Sequence, residues 1–252
     1  MDNRTDPRFT VRQQGMPGTA VPRAGGASFD AGLRKYMLSV YNYMGLGVAL
    51  TGITAMLTAQ YALSNPAFAQ LLYGSALRWV VMLAPLGFVF AISGGINRFS
   101  TGTLQILFWS FAAVMGVSLS SIFLVYTGAS IAQTFFVTAA AFGALSLYGY
   151  TTKKDLSAMG KFLFMGLIGL IIAMVVNIFL GSSALQFAIS AIGVLIFAGL
   201  TAYDTQRIRQ GYDYVAGNGD LMARSAIGGA LSLYLNFINM FMFLLSFMGG
   251  RE

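Results

Sequence analysis

Long hydrophobic runs without charged residues recur along the chain, separated by shorter polar stretches. Runs of about 20 apolar residues have the length of a helix that crosses ~30 Å of hydrocarbon. We count seven predicted spans, at 36–60, 79–97, 103–126, 129–150, 162–181, 184–203 and 228–248. The pattern therefore predicts an all-α membrane protein with seven transmembrane helices.

The polar stretches between the runs differ in length. Tight turns at 126–128 and 181–183 join the third span to the fourth and the fifth to the sixth, so each pair is predicted to form an antiparallel hairpin. The longer polar connections are 61–78, 151–161 and 204–227. Residues 1–35 are polar, rich in Gly, Pro and Arg, and lack the apolar core of a signal peptide. They are predicted to form a disordered cytoplasmic tail, which leaves 36–250 as the transmembrane domain.

The Lys and Arg residues are distributed unequally between the two sides of the predicted bundle. If the N-terminus is inside, thirteen of them lie in inner segments and two, Arg78 and Arg251, in outer segments. The thirteen are Arg4, Arg8, Arg12, Arg23, Arg34, Lys35, Arg98, Lys153, Lys154, Lys161, Arg207, Arg209 and Arg224. Because positive residues are retained on the cytoplasmic side, the N-terminus is predicted to be cytoplasmic and the C-terminus outside.

Composition narrows the possible functions. Of the residues, 57% are hydrophobic and only 9% are charged, against about 25% charged in ordinary soluble domains. The net charge of +7 is carried by loops and tails, so the predicted partner is the lipid bilayer and not nucleic acid. Cysteine and histidine are absent, which excludes disulfides, thiolate or imidazole metal sites, and Ser–His or zinc catalysis. We predict no bound cofactor.

Small residues are expected where helices meet, since lipid provides no hydrophobic force for their association. The glycines assigned to such contacts are Gly45, Gly47, Gly52, Gly94, Gly95, Gly166 and Gly169.

One acidic residue, Asp204, lies at the inner end of an apolar span. An ionisable group at membrane depth is costly and is therefore a candidate functional group. A carboxylate that reaches the headgroups, or that pairs with Arg207 or Arg209, would explain it equally well. In the last span Asn236 lies roughly 12 Å from the inner end at 1.5 Å per residue, and a buried amide there usually forms hydrogen bonds between helices.

Three separated segments resemble the bacterial branch of the Bax inhibitor 1 (transmembrane Bax-inhibitor-motif) family. They are 142–156 (FGALSLYGYTTKKDL), 199–206 (GLTAYDTQ) and 231–239 (LSLYLNFIN). The similarity extends from about residue 34 to the C-terminus. It implies seven helices with the last surrounded by the other six, a location in the bacterial inner (plasma) membrane, and activity as a pH-sensitive calcium leak.

The resemblance also implies a pair of acids near the cytoplasmic face that closes the pore and responds to protons and calcium. The first acid corresponds to Asp204, but the second position is occupied by Asn236. A family arginine from the second helix corresponds best to Arg98. With one carboxylate and one amide as ligands, we predict a weak calcium site at Asp204 and Asn236 and an altered pH response. Calcium is expected as a transported or weakly bound ion.

Two other functions are compatible with parts of the sequence. Some bacterial relatives modulate a membrane-bound AAA protease, a role that would use helix surfaces and the N-terminal tail. Intramembrane aspartyl proteases pair a Tyr-Asp with a Gly-x-Gly-Asp, here Tyr203-Asp204 and 217–220. Because Asp220 falls in a predicted polar turn outside the bilayer, the chain is predicted not to be an enzyme.

Overall fold

The computed structural model describes residues 24–250, with side chains from Asp30 onward. It contains α-helices, one π-helical turn at Gln70–Gly74, and no β-strand within that range. The helices are α1 (Ala24–Ser64), α2 (Pro66–Ala69), α3 (Leu77–Gly95), α4 (Thr101–Leu119), α5 (Ile122–Val125), α6 (Gly128–Thr151), α7 (Ser157–Leu180), α8 (Ser183–Val215) and α9 (Gly219–Met248). Seven spans, with α4 and α5 forming one of them, are long and apolar enough to cross a membrane. The predicted all-α class and the number of spans are confirmed.

Local capping explains where several helices begin. The side chains of Ser100, Thr127, Ser182 and Asn218 each accept a hydrogen bond from a backbone N–H in the first turn of the following helix, which satisfies a donor that the helix itself cannot use. Gly181 ends α7 with φ +59°, a left-handed conformation that glycine adopts without strain. Both predicted hairpin turns are therefore present.

Three predicted boundaries were wrong. Helix α1 begins at Ala24 and not at 36, so 24–35 are helical, and the rest of the predicted tail (1–23) lies outside the described residues. The predicted connection 204–227 is almost entirely helical, because α8 continues to Val215 and α9 begins at Gly219. The 61–78 connection contains α2 and the π-helical turn. These boundaries differ because hydropathy indicates only the part of a helix that lies in lipid. The helix itself continues wherever the following polar residues can also form helical backbone hydrogen bonds.

Helix α9 forms the centre of the bundle and is the most buried of the seven spans. It contacts α1, α3, α4, α6 and α8 directly. Helix α7 packs against α8 and faces α9 across a cavity lined by both helices. The prediction that the last helix is surrounded by the other six is confirmed.

A polar contact links three helices inside the bundle. The Thr51 hydroxyl on α1 lies 2.6 Å from the Tyr234 hydroxyl on α9 and 2.8 Å from the Ala112 carbonyl oxygen on α4. Thr51 and Tyr234 are both buried. Hydrogen bonds between helices help to hold a membrane bundle together, where lipid supplies no hydrophobic drive.

Glycines allow the closest approaches between helices, but only some of the predicted glycines lie at such contacts. A Cβ on Gly47 would lie 3.0 Å from the Phe108 ring, whereas nothing lies within 4 Å of a Cβ on Gly45, Gly52, Gly94 or Gly169, so those four predictions were wrong. The tightest approach to backbone is at Gly149 on α6, where a Cβ would overlap the carbonyl oxygen of Ala202 on α8. The presence of a glycine in an apolar span therefore does not indicate whether that glycine faces a neighbouring helix.

Contacts between distant segments define the two ends of the bundle. The Gln206 side chain binds the 152–156 loop, Thr101 binds Asp220, and the start of α1 meets α9 through Tyr36. The start of α1 and the connections 96–100, 152–156 and 216–218 therefore share one end. We call it the basic end, because those predicted inner Lys and Arg residues that the structure describes, from Arg34 onward, lie there. The 126–128 turn meets Gly250 at the other end. That the basic end is cytoplasmic remains a prediction.

Candidate functional site

Asp204 on α8 faces the central helix. The Nδ2 of Asn236 on α9 donates a hydrogen bond to Oδ2 of Asp204 at 2.8 Å. The other carboxylate oxygen, Oδ1, lies 3.9 Å from Nη1 of Arg207, one turn further along α8. The Asp204 side chain is 14% exposed and that of Arg207 is 67% exposed. The structure thus pairs the acid with Asn236 inside the bundle and with Arg207 towards solvent.

The neighbours of Asp204 in the sequence hold α8 to two other helices. On α7, a Cβ at Gly160 would lie 2.5 Å from the Tyr203 ring, so the ring occupies the space that glycine leaves. Thr205 Oγ1 lies 3.5 Å from Ser146 Oγ on α6 and donates to the Thr201 carbonyl oxygen. These contacts limit rotation of α8 and keep the Asp204 carboxylate directed at α9.

Gln206 fixes the loop between α6 and α7. Its Nε2 donates to the carbonyl oxygen of Lys154 at 2.7 Å, and its Oε1 accepts from the N–H of Leu156 at 2.9 Å. The side chain is buried. Since one amide satisfies both a donor and an acceptor of the loop, Gln206 holds the loop against α8 at the basic end.

Replacing Gln206 by Ala is expected to release this loop. Removing a buried partner leaves two backbone groups unsatisfied, at a cost of about 1–3 kcal/mol. Lys153 and Lys154 lie in the loop and are exposed, so limited trypsin digestion in detergent should cleave there faster than in the native protein. The matched control is Gln210→Ala, an exposed glutamine on the same helix, which should leave the rate unchanged. Equal cleavage of the two variants would contradict this role.

Two cavities meet at Asp204. The first, of about 740 Å³, opens at the basic end and is lined by residues of α1, α3, α8 and α9. The second, of about 850 Å³, extends further from the basic end between α3, α7, α8 and α9 and includes Asn236 and Asn239. Exposed α7 side chains such as Phe164 and Met165 border it on the outside. The residues that line both are Asp204, Arg207, Ser232 and Leu235. We call these the basic-end cavity and the deep cavity.

The structure does not bring Arg98 to this site. Arg98 lies in the turn after α3, where its N–H donates to the Gly95 carbonyl oxygen, and it is exposed. It lines neither cavity. The cation beside Asp204 is Arg207, one of the two arginines that the sequence offered as its partner, at i, i+3 on the same helix. The gating role predicted for Arg98 therefore has no contact with Asp204 to support it.

The Asp204–Asn236 pair is a hydrogen-bonded link between helices. Because Asn236 presents its amide nitrogen to the carboxylate, its amide oxygen does not converge with the Asp204 oxygens on a common point. In the part of the chain that the structure describes, no three acidic side chains group closely enough to hold a metal ion. Calcium prefers six to eight oxygen ligands, so the ligand set offered here is small.

Asp220, the second acid of the aspartyl-protease alternative, is held elsewhere. It lies in the first turn of α9, where its carboxylate accepts from Thr101 and pairs with Arg224. The preceding Gly217 has φ +91°, as a glycine turn requires. Asp204 and Asp220 have different partners and are not arranged as a facing pair, which such catalysis would need.

The fold and this site define an integral membrane protein of seven helices, whose central helix is tied to its predecessor by an aspartate–asparagine hydrogen bond. The chain belongs to the Bax inhibitor-like family, since the family model described as "Inhibitor of apoptosis-promoting Bax1" matches residues 33–252. The resemblance drawn from the three sequence segments is confirmed.

Bacterial relatives match over most of their length. An uncharacterized protein of Caulobacter vibrioides is 50% identical over 89% of this chain and 92% of its own. An uncharacterized protein of Rickettsia prowazekii is 49% identical over 89% of this chain and 93% of its own. The inner membrane protein YbhL of Escherichia coli is 46% identical over 88% of this chain and 94% of its own.

Proposed function

We propose that the protein is a pH-sensitive calcium leak of the bacterial inner membrane, gated at Asp204. The observation that carries the proposal is the position of the Asp204–Asn236 hydrogen bond, at the meeting point of the basic-end cavity and the deep cavity. A cation that enters at the basic end reaches a carboxylate before it reaches the bundle interior. The inner-membrane location rests on the similarity to YbhL.

The gate is a link between α8 and α9. While Asp204 is ionised, it accepts the hydrogen bond from Asn236, and this contact joins the two helices. Arg207 lies on α8 itself, so its ion pair with Asp204 does not bridge them. Protonation removes the negative charge and so weakens the charge-assisted hydrogen bond that Asp204 accepts from Asn236. Helices α8 and α9 then separate more easily, and the two cavities join. The leak accordingly increases as the pH falls.

Other charged groups near the two cavities are few. Arg207 and Asp213 line the basic-end cavity, and Lys161 lines the deep cavity with Arg207. The chain has no histidine, the side chain whose ordinary pKa lies nearest to neutrality. Asp204 is therefore the group we assign to proton sensing.

The test is calcium flux into proteoliposomes between pH 6 and 8, for the native chain and for Asp204→Asn. The native flux is expected to rise at least severalfold from pH 8 to pH 6. The Asn variant imitates the neutral carboxyl in shape, so it should show high flux at both pH values and little pH dependence.

The control variant is Asp155→Asn, in the loop between α6 and α7. Hydrogen bonds from Ser157 hold the pKa of the Asp155 carboxyl below its usual range, so this group stays ionised between pH 6 and 8 and its removal should leave the pH profile unchanged. If neither the native chain nor Asp204→Asn passes calcium above empty liposomes, the leak is disproved. If both give the same pH profile, proton sensing lies elsewhere.

The alternative role, modulation of a membrane-bound protease, depends on the N-terminal residues 1–30, most of which lie outside the described residues. It stays a prediction. Deleting these residues should abolish such regulation and leave a leak unaffected.

A further inference from the structure

The interface between α8 and α9 carries a stripe of polar side chains along its length. On α9 the stripe consists of Ser232, Asn236, Asn239 and Ser246. The steps between these positions are four, three and seven residues, each close to a whole number of helical turns, so the positions share one face of the helix. On α8 the facing positions are occupied by Asp204 near the basic end and by Ser190 and Gln186 near the other end.

Polar contacts confirm this pairing at both ends of the interface. Asn236 binds Asp204 at the basic end. Towards the opposite end, Ser190 Oγ donates to Ser246 Oγ at 3.1 Å, and Gln186 Nε2 lies 3.4 Å from the same oxygen. The two helices run antiparallel, so a step towards the C-terminus on α9 corresponds to a step towards the N-terminus on α8.

Between these two polar groups the stripe is interrupted by Phe197 and Phe243, which we call the aromatic pair. Their ring centroids are 5.9 Å apart with an interplanar angle of 23°. A Cβ on Gly193 would lie 2.7 Å from the Phe243 ring, so this glycine leaves the space that the ring fills. Phe197 is buried.

On α8 and α9 the aromatic pair marks the far end of the deep cavity, whereas on α7 the lining continues to Met174. On α8 and α9 the lining extends from Asp204 through Asn236 and Asn239 to Phe197 and Phe243. Ser190 and Ser246 lie beyond the pair. At the level of the two rings, the interface between α8 and α9 is formed by aromatic rings. In the polar stripe above and below them, by contrast, a cation would meet hydroxyl, amide or carboxylate oxygens.

We propose that the aromatic pair is the apolar barrier of the ion path, separate from the gate at Asp204. An apolar constriction excludes water, and a cation that enters it must leave its hydration shell without replacement ligands. Conduction therefore needs the two rings to part, in addition to the separation of Asp204 from Asn236. The proposal deepens the proposed leak and rests on it for its function, but the barrier itself can be tested without calcium.

Single cysteines provide the test, because the chain has no cysteine of its own. Asn239→Cys and Ser246→Cys would be exposed to a charged, membrane-impermeant thiol reagent from either side of oriented membrane vesicles. Asn239→Cys should react only from the side of the basic end, and Ser246→Cys only from the opposite side. In the Phe243→Ser background, Asn239→Cys should react from both sides, and calcium flux should rise about tenfold or more, as expected when a dewetted constriction becomes polar.

The matched control is Phe247→Ser, one turn further along α9 at an exposed phenylalanine, which should leave Asn239→Cys reactive from one side only. The barrier is disproved if Asn239→Cys reacts from both sides with the aromatic pair intact, or from one side only after Phe243→Ser. Phe197→Ser is the second variant if Phe243→Ser does not fold. If the labelling changes as expected but no variant passes calcium, the barrier stands and the leak fails.

Discussion

Replacing Asn236 by Asp is expected to create a calcium-responsive pair of carboxylates. The Asn236 nitrogen that lies 2.8 Å from Oδ2 of Asp204 would become an oxygen, and two carboxylates so close share a proton because both cannot ionise comfortably. Calcium relieves that repulsion and gains a second charged ligand, so its affinity should rise by roughly tenfold or more. The pH dependence of calcium flux should change with it, because the pair titrates as one unit.

The measurement is the apparent melting temperature of the purified protein in detergent, with and without millimolar calcium. A ligand that binds only the folded state raises this temperature in proportion to the logarithm of its concentration. Calcium should therefore stabilise Asn236→Asp more than the native chain, while the same concentration of magnesium controls for ionic strength.

Asn239→Asp is the matched control for position. It makes the same substitution about one turn away on the same face of α9, also in the deep cavity, but Asn239 donates to the Leu235 carbonyl oxygen and not to Asp204. Calcium should stabilise this variant little. If calcium stabilises the two variants equally, added charge in the cavity explains the effect and the pairing with Asp204 does not.

The fold was largely predictable because lipid imposes a simple requirement on the sequence. A span must be apolar for about 20 residues, so hydropathy locates seven of them. Hydropathy does not predict structure beyond the hydrocarbon, where α8 continues as a helix through Arg207 and Arg209, polar residues that hydropathy alone places in a loop. Which glycines mediate contacts was not predictable, since Gly45 and Gly149 both lie in apolar runs and only the second touches another helix.

The candidate site was predictable in part. Asp204 stood out because it is the acid at the end of an apolar span, and the resemblance to the family placed Asn236 opposite it. The role of Gln206 was missed, because a buried amide that binds a loop has no spacing signal in the sequence. Arg98 was chosen for its position at the end of a span, but the turn after α3 directs it to solvent. Which side chains share a cavity depends on helix rotation, which hydropathy does not determine.

Replacing Gly149 by Ala is expected to lower the stability of the bundle. The added Cβ would overlap the Ala202 carbonyl oxygen, and backbone atoms, unlike the end of a flexible side chain, cannot move aside alone. Helices α6 and α8 must therefore separate, at a cost of about 1–3 kcal/mol for overpacking. The apparent melting temperature in detergent should fall by several degrees.

Gly143→Ala is the matched control on the same helix, because nothing lies within 4 Å of a Cβ at that position. Alanine favours helix over glycine by up to about 1 kcal/mol, so this variant should melt at or slightly above the native temperature. Ala202 precedes Asp204 by two residues, so the displacement of α8 by Gly149→Ala should also weaken the Asp204–Asn236 hydrogen bond and raise calcium flux at pH 8. Equal melting temperatures for the two variants would mean that α6 and α8 separate at no cost, and that their contact does not hold Asp204 in place.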